Sequence, residues 1–323
     1  MPSTRTIRIA GAQLACRLNR RIENFARAGE LATRAAAAGA QLVLFPELMP
    51  SGYTISPRLW QGVEPADGPT ARWLRRTSAE LGIYLGTSYP ELDCGHIYNT
   101  FVLTTADGRE AGRVRKSHTE SYLFRGEPNS HVIECDLGRI GVGICADNHY
   151  ADFARLMRRS RVDLMLMPHA GPAGKTVGGL ISQADIHRQH DVFQSLAPRY
   201  AEMLGAPALF VNQCGRTSGE RGTGIVGSVL NSPACYFPGL TTLADSGGRV
   251  VARLGGDDGL VIGDVTVDRS RYPEAEPRLH GAFVTPGSWF TRHVIFTIDG
   301  CLGKMYYARR RTRAGVQSGE RAA

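Results

Sequence analysis

HVIECDLGRIGVGICADNHYADF, residues 131–153, is the stretch on which the reading of this chain turns. Two apolar runs, HVIEC and RIGVGIC, flank an Asp-Leu-Gly break, the pattern of two strands joined by a tight turn. The second run ends at Cys145 and passes at once into Asp147, Asn148 and His149. A cysteine there is either a small hydrophobe of the core or a nucleophile held at the end of a rigid strand. A helix over about residues 150–159 and a short buried strand, DLMLMPH, follow.

Outward from this stretch, strands and helices alternate, which predicts an α/β fold. TIRIAGAQLAC reads as a half-buried strand, and the next segment places Ile22, Phe25, Ala28, Ala32 and Ala35 on one helical face with Gly39 as a stop. QLVLFPE is a short buried strand ending at Glu47. DGPTARWLRRTSAELG offers Asp67 and Pro69 as a helix start and Gly82 as its end. NTFVLTTADGREAGRVRK reads as a hairpin around Asp-Gly that delivers Lys116 at its end. A helix from about Ile186 is expected to break or restart at Pro198. APALFVNQCG, TTLADSGGRVVARLG and GLVIGDVTVD supply further strands. No linker divides the 323 residues, so residues 1–308 are expected to form a single domain.

Composition narrows the function classes. The chain is 42% hydrophobic and 21% charged, with no apolar run long enough to span a bilayer. Its opening residues lack the apolar core of a signal peptide, so the expected compartment is the cytoplasm. Seven cysteines without a CxxC pair favour neither a disulfide framework nor a zinc site, and no histidine spacing suggests a metal, so no cofactor is expected. The formal charge of +8 is half local: ARRRTRAGVQSGERAA at the end holds five arginines against one glutamate. Residues 309–323 are expected to be a flexible basic tail, and the body has no basic stripe interleaved with aromatics for nucleic acid.

Glu47, Lys116 and Cys145 thus stand at three expected strand ends, where a scaffold holds side chains rigidly. Each alone has a bland reading as core thiol or solvated loop charge. Together they meet a chemical need. A thiol attacking a carbonyl requires a base, and the oxygen under attack requires a positive or hydrogen-bonding group. A rival arrangement pairs Cys145 with His118, His149 or His169 as in cysteine peptidases, but no peptidase-type block accompanies the cysteine.

LVLFPELMPSGY, GRVRKSHTESYLF and GRIGVGICADNHYADF resemble the three signature blocks of the nitrilase, or carbon-nitrogen hydrolase, superfamily. IRIAGAQLAC, a helix with Asn24, YLGTSYPE, IYNTFVLTTADG, RYAEMLGAPALFVNQCG and FPGLTTLADSGGRVV follow the family's order across roughly residues 6 to 268. The resemblance implies a four-layer αββα sandwich with Glu47 as general base, Cys145 as nucleophile and Lys116 stabilising a tetrahedral intermediate. It also implies a second glutamate, for which Glu120 matches better than Glu127, and a homodimer or higher homo-oligomer. Neither metal nor organic cofactor enters that chemistry.

The implied activity is hydrolysis of the C–N bond of a small linear amide through a thioester, releasing ammonia or an amine. Ala146 and Asp147 stand where true nitrilases usually place Trp-Glu, which directs the resemblance to the amidase and carbamoylase branches. Asn148 and His149 stand where many carbamoyl-amino-acid hydrolases carry an arginine for a substrate carboxylate. Hydrolysis of a ureido compound or a nitrile, or a catalytically silent binding role, are the alternatives. Tyr53, Asn148, His149 and His169 are expected to line the substrate pocket. Residues 216–236 are expected to act as a lid or an oligomer contact, and the Gly-rich AGPAGKTVGGL, which does not match a phosphate-binding loop, to border the pocket.

Overall fold

The structure, a computed structural model, describes residues 4–174, 182–268, 270–273, 277–286 and 296–321. Strand β1 (Thr4–Gln13) connects through helix α1 (Arg21–Ala37) to the parallel β2 (Leu42–Leu44), which connects through α2 (Pro69–Leu81) to the parallel β3 (Tyr84–Asp93). Parallel neighbours need such crossovers, and the crossover helices cover one face of the sheet. The hairpin of β4 (His96–Thr104) and β5 (Glu110–Arg115) turns at Asp107-Gly108 and extends one edge. The other edge is β14 (Gly259–Asp268), antiparallel to β1, giving the order β14-β1-β2-β3-β4-β5.

A second six-stranded sheet repeats the plan. β6 (Val132–Cys135) and β7 (Gly138–Val142) form the hairpin expected over residues 131–145. Helix α3 (Ala151–Arg159) leads to β8 (Leu164–His169), and α4 (Gln183–Leu204) leads to β9 (Ala208–Asn212). With β12 (Thr242–Ala244) and β13 (Val250–Arg253) the order is β13-β12-β9-β8-β7-β6. A small ribbon, β10 (Cys214–Arg216) with β11 (Tyr236–Pro238), and the helices α5 (Gly224–Leu230) and α6 (Phe296–Arg321) lie outside the two sheets.

Side-chain alternation explains the stacking. On β8, Leu164 and Leu166 point between the sheets, where they meet Ile9, Leu44, Phe101 and Val142; Met165 and Met167 point the other way and pack on Phe153, Phe193 and Tyr200 of α3 and α4. On the first sheet Ala10, Val43 and Leu85 pack on Ala28, Ala32, Ala35 and Leu74 of α1 and α2. The result is helix, sheet, sheet, helix, the αββα sandwich expected. Gly11 sets how closely the sheets approach, since a Cβ there would come within 2.8 Å of Val211 on the facing sheet.

Several local expectations change. β2 stops at Leu44 and β7 at Val142, so Glu47 and Cys145 each stand three residues past a strand, whereas Lys116 directly follows β5. Ile22 is 84% exposed because it lies in the first turn of α1, and Leu31 joins the buried face instead. The residue before α2 is Gly68 rather than Asp67. Helix α4 does not break at Pro198. The proline removes the N–H that would bond to the carbonyl of Gln194, and the Arg253 guanidinium donates to that carbonyl at 2.7 Å. Residues 309–321, expected as a tail, continue α6 as helix. No helix among the described residues is long and apolar enough to cross a membrane.

Leu166 is fully buried between the sheets, so Leu166→Ala is expected to destabilise the fold by about 2–5 kcal/mol through lost burial and the cavity left behind. Urea denaturation reads this directly, and an unchanged midpoint would contradict the assigned packing.

Candidate active site

Glu47 is fixed from both sheets. The Thr87 hydroxyl donates to the carbonyl of Pro46 at 2.9 Å, and the N–H of Leu48 donates to Ser88 at 3.0 Å, both acceptor and donor partners lying on β3. From the other sheet, the His169 carbonyl accepts the N–H of Glu47 at 3.3 Å, and the Gln213 amide donates to the Glu47 carbonyl at 2.8 Å. The carboxylate has no solvent exposure. Its Oε1 accepts from Lys116 Nζ and from Asn99 Nδ2, each at 2.7 Å; its Oε2 accepts from the N–H of Ala170 at 2.9 Å.

Lys116 is held at its backbone by the Asn99 carbonyl, 2.9 Å from its N–H, and is equally buried. Its ammonium group lies between Glu47 and Glu120, 2.8 and 3.0 Å from the two Glu120 oxygens. The Tyr53 hydroxyl donates to Glu120 Oε1 at 3.3 Å. Glu127 does not join this group: its carboxylate meets Arg115 at 3.0 Å, and its N–H donates to the Lys116 carbonyl at 3.2 Å.

Cys145 opens a single 3-10 turn, Cys145–His149, with φ +46°. A side chain other than glycine in that left-handed region costs on the order of 1–3 kcal/mol, a strain held by the surrounding packing. Leu48, beside the glutamate, has φ +52°. The turn places the thiol next to the Glu47 carboxylate, the Lys116 ammonium and the N–H of Ala170, near enough for each to act on its charge. It also requires Gly143, where a Cβ would overlap the Asn148 side chain at 2.0 Å.

Charges and burial determine the resting protonation. Burial pushes the Glu47 carboxyl above the usual carboxylate range, opposed by the neighbouring ammonium of Lys116. Burial alone would lower the Lys116 pKa, but Glu120 and Glu47 outweigh it and hold the lysine protonated. Burial and the Glu47 charge push the Cys145 thiol well above its ordinary value. The resting site is therefore a neutral thiol beside a carboxylate of raised basicity and a fixed cation.

The other candidates separate. Tyr53 borders the charged group. Asn148 is buried and turned into the backbone, donating to the carbonyls of Gly143 at 2.6 Å and Cys145 at 3.3 Å. His169 is buried on the face of β8 that packs on α4, 4.4 Å from the Phe210 ring and 5.9 Å from His149, and burial lowers its pKa well below the usual imidazole range. The structure groups His149 and His169 with each other. His118, a candidate base in the rival arrangement, meets Asp147 and stacks on Tyr150 at 3.9 Å. Asn99, which touches the Glu47 carboxylate, was not singled out by the sequence reading; the signal for it was a lone amide inside the apolar strand HIYNTFVLT.

Residues 216–236 form a fixed wall. Asn231 bonds to Thr54 and to the N–H of Ile55, Ser218 bonds to Thr54, and the N–H of Thr223 donates to the carbonyl of Ile55. Beside this wall a cavity of about 540 Å³ is lined by Arg17, Tyr53, Arg58, Arg216 and Phe237. The Gly-rich segment from Lys175 onward lies outside the described residues. Among the described residues no cluster of three His, Cys, Asp or Glu side chains converges as a metal site.

The family model of carbon-nitrogen hydrolases matches residues 8–274. The chain belongs to the carbon-nitrogen hydrolase family. That membership carries the reaction class, hydrolysis of carbon–nitrogen bonds other than peptide bonds. The chain is 26% identical over 280 residues to an omega-amidase of Xenopus tropicalis, covering 81% of this chain and 91% of that protein. It is 33% identical over 171 residues to an omega-amidase of Xenopus laevis, a match spanning 47% of this chain and 61% of that relative. A carbon-nitrogen hydrolase structure from Helicobacter pylori G27 shares the fold with a TM-score of 0.71 at 21% identity, covering 83% of this chain and 90% of that one.

The buried carboxylates yield a test. Lys116→Ala leaves Glu47 and Glu120 without their shared cation, and the folded state is expected to lose about 3–5 kcal/mol in chemical denaturation. A variant as stable as the wild type would contradict the assigned ion pairs.

Proposed function

We propose that this carbon-nitrogen hydrolase cleaves a small linear amide through a thioester on Cys145. The observation that carries the reading is one buried carboxylate, Glu47, bonded to the Lys116 ammonium and lying next to the Cys145 thiol. Glu47 takes the thiol proton as sulfur attacks the amide carbon, forming the C–S bond and placing negative charge on oxygen. Lys116 and a backbone N–H of the 145–149 turn face that charge. Collapse of the tetrahedral species breaks the C–N bond, and the departing nitrogen takes the proton back from Glu47 as ammonia or an amine. Glu47 next deprotonates a water that attacks the thioester, releasing a carboxylic acid and restoring the thiol.

The omega-amidase names of the relatives support an amide over a nitrile, as does the absence of Trp-Glu after Cys145. The test is ammonia release from aliphatic, aromatic and ureido amides and the matching nitriles, comparing wild type with Cys145→Ala. Release from amides by the wild type alone is expected. Equal release by Cys145→Ala would sink the nucleophile assignment, and release from nitriles alone would redirect the substrate class.

Glu47 works as a carboxylate, and burial raises its pKa, so the acid limb of kcat/KM is expected above the ordinary carboxylate range, with rate lost as pH falls through it. Glu47→Gln is expected to lower kcat by about 10²–10⁴-fold, the usual worth of a positioned base. Deletion of residues 309–323, which removes the basic end of α6, is expected to leave turnover in place, since no described contact of the site involves residues 309–321. Loss of turnover with the assembly preserved would place this segment at a site.

A further inference from the structure

Glu47 and Lys116 belong to the first sheet and Cys145 to the second. The apolar layer between the sheets is non-directional, so it holds them together without specifying how the lysine loop registers against the cysteine turn. Reaction geometry is less forgiving, since a misplacement of about 1 Å can cost on the order of 10²-fold in rate. Directional contacts between these two loops are therefore needed, and Asp147 supplies them.

Asp147 has no solvent exposure. Its Oδ2 accepts the N–H of Ile144 at 3.2 Å, closing its own turn. Its Oδ1 reaches the other sheet's loop, accepting the N–H of Ser117 at 3.2 Å and of His118 at 2.8 Å and lying 3.1 Å from His118 Nδ1. A residue that merely capped its turn would need the Ile144 contact alone; here three of the four contacts leave the turn. Ser117 directly follows Lys116, and Ile144 directly precedes Cys145. A second strap runs alongside, from Ser117 Oγ to His131 Nε2 at 2.7 Å and from His131 Nδ1 to the carbonyl of Val142, the last residue of β7, at 3.0 Å. The His118 ring, stacked on Tyr150, has its Nε2 3.4 Å from Asp152 on α3.

We propose that Asp147 is a positioning residue that registers the Lys116 loop against the Cys145 turn, with the Ser117-His131 strap as its support. The proposal rests on the reading of Cys145 as the nucleophile and Lys116 as its electrostatic partner. Asp147 touches no reacting atom. It acts through the backbone of residues 117, 118 and 144, so its loss displaces the ammonium relative to the thiol.

The test is the rate of Cys145 alkylation by iodoacetamide, resolved from the other cysteines by peptide mass mapping and followed across pH, alongside kcat and KM on the amide that turns over. Asp147→Ala is expected to slow Cys145 alkylation and lower kcat by about 10–100-fold, with KM within about twofold. Its alkylation pH profile is expected to move toward that of an isolated buried thiol. Asp147→Asn keeps one acceptor oxygen for Ser117 and His118 and is expected to fall between the two. Circular dichroism and the thermal midpoint establish the folded fraction in each variant. Equal Cys145 reactivity and profile in folded Asp147→Ala overturns the positioning role alone, as does a loss that only tracks the unfolded fraction in both variants. A Cys145 unreactive in the wild type overturns the nucleophile reading and this proposal together.

Discussion

A lysine ammonium with no access to water has to be surrounded by its counter-charges, and Lys116 is. Taking such a cation out of water costs several kcal/mol, returned only if its partners are close and themselves hydrogen-bonded. Glu47 and Glu120 flank it, and the second oxygens, the Asn99 amide, the Ala170 N–H and the Tyr53 hydroxyl complete the arrangement. The fold has to bring these groups to one point from β2, β4, β5 and β8 and their following loops, which is why so many backbone contacts converge on residues 46 to 48 and 116 to 118.

The same constraint explains the resting chemistry. Two carboxylates and one ammonium leave an excess negative charge beside Cys145, and the buried thiol stays protonated. In the proposed reaction, attack does not begin from a stored thiolate; it begins from Glu47 as a base whose proton affinity burial raises, so that proton transfer and attack are coupled there. The left-handed Cys145 backbone turns the thiol toward that carboxylate, and Gly143 and Asn148 hold the turn in place.

Much of this was legible in the sequence because the chemistry sits in contiguous blocks: Glu47 after a buried run, Lys116 after a hairpin, Cys145 after another. What was not legible depended on distant partners. Pro198 reads as a helix break, and only Arg253 on a neighbouring strand supplies the missing donor. Glu120 and Glu127 are both acids in the same short segment, and the choice between them is made by two neighbouring cations, Lys116 pairing with Glu120 and Arg115 with Glu127. Asn99 carries its signal in a polar side chain inside an apolar strand, but its partner is far away in sequence. The φ of Cys145 has no signal, since cysteine is not a residue that marks left-handed turns. The helix through residues 309–321 was hidden by the Gly and Ser of that stretch, though its Ala and Arg are good helix formers.

The central claim is that Cys145 carries the acyl group during turnover. Acid quenching of the protein in the middle of turnover, followed by peptide mass mapping, reads this without inference from rates. The account predicts the mass of the acyl group on the peptide containing Cys145, removed by hydroxylamine as a thioester is. Steady turnover with no mass on that peptide, and the same rate in Cys145→Ala, would contradict it.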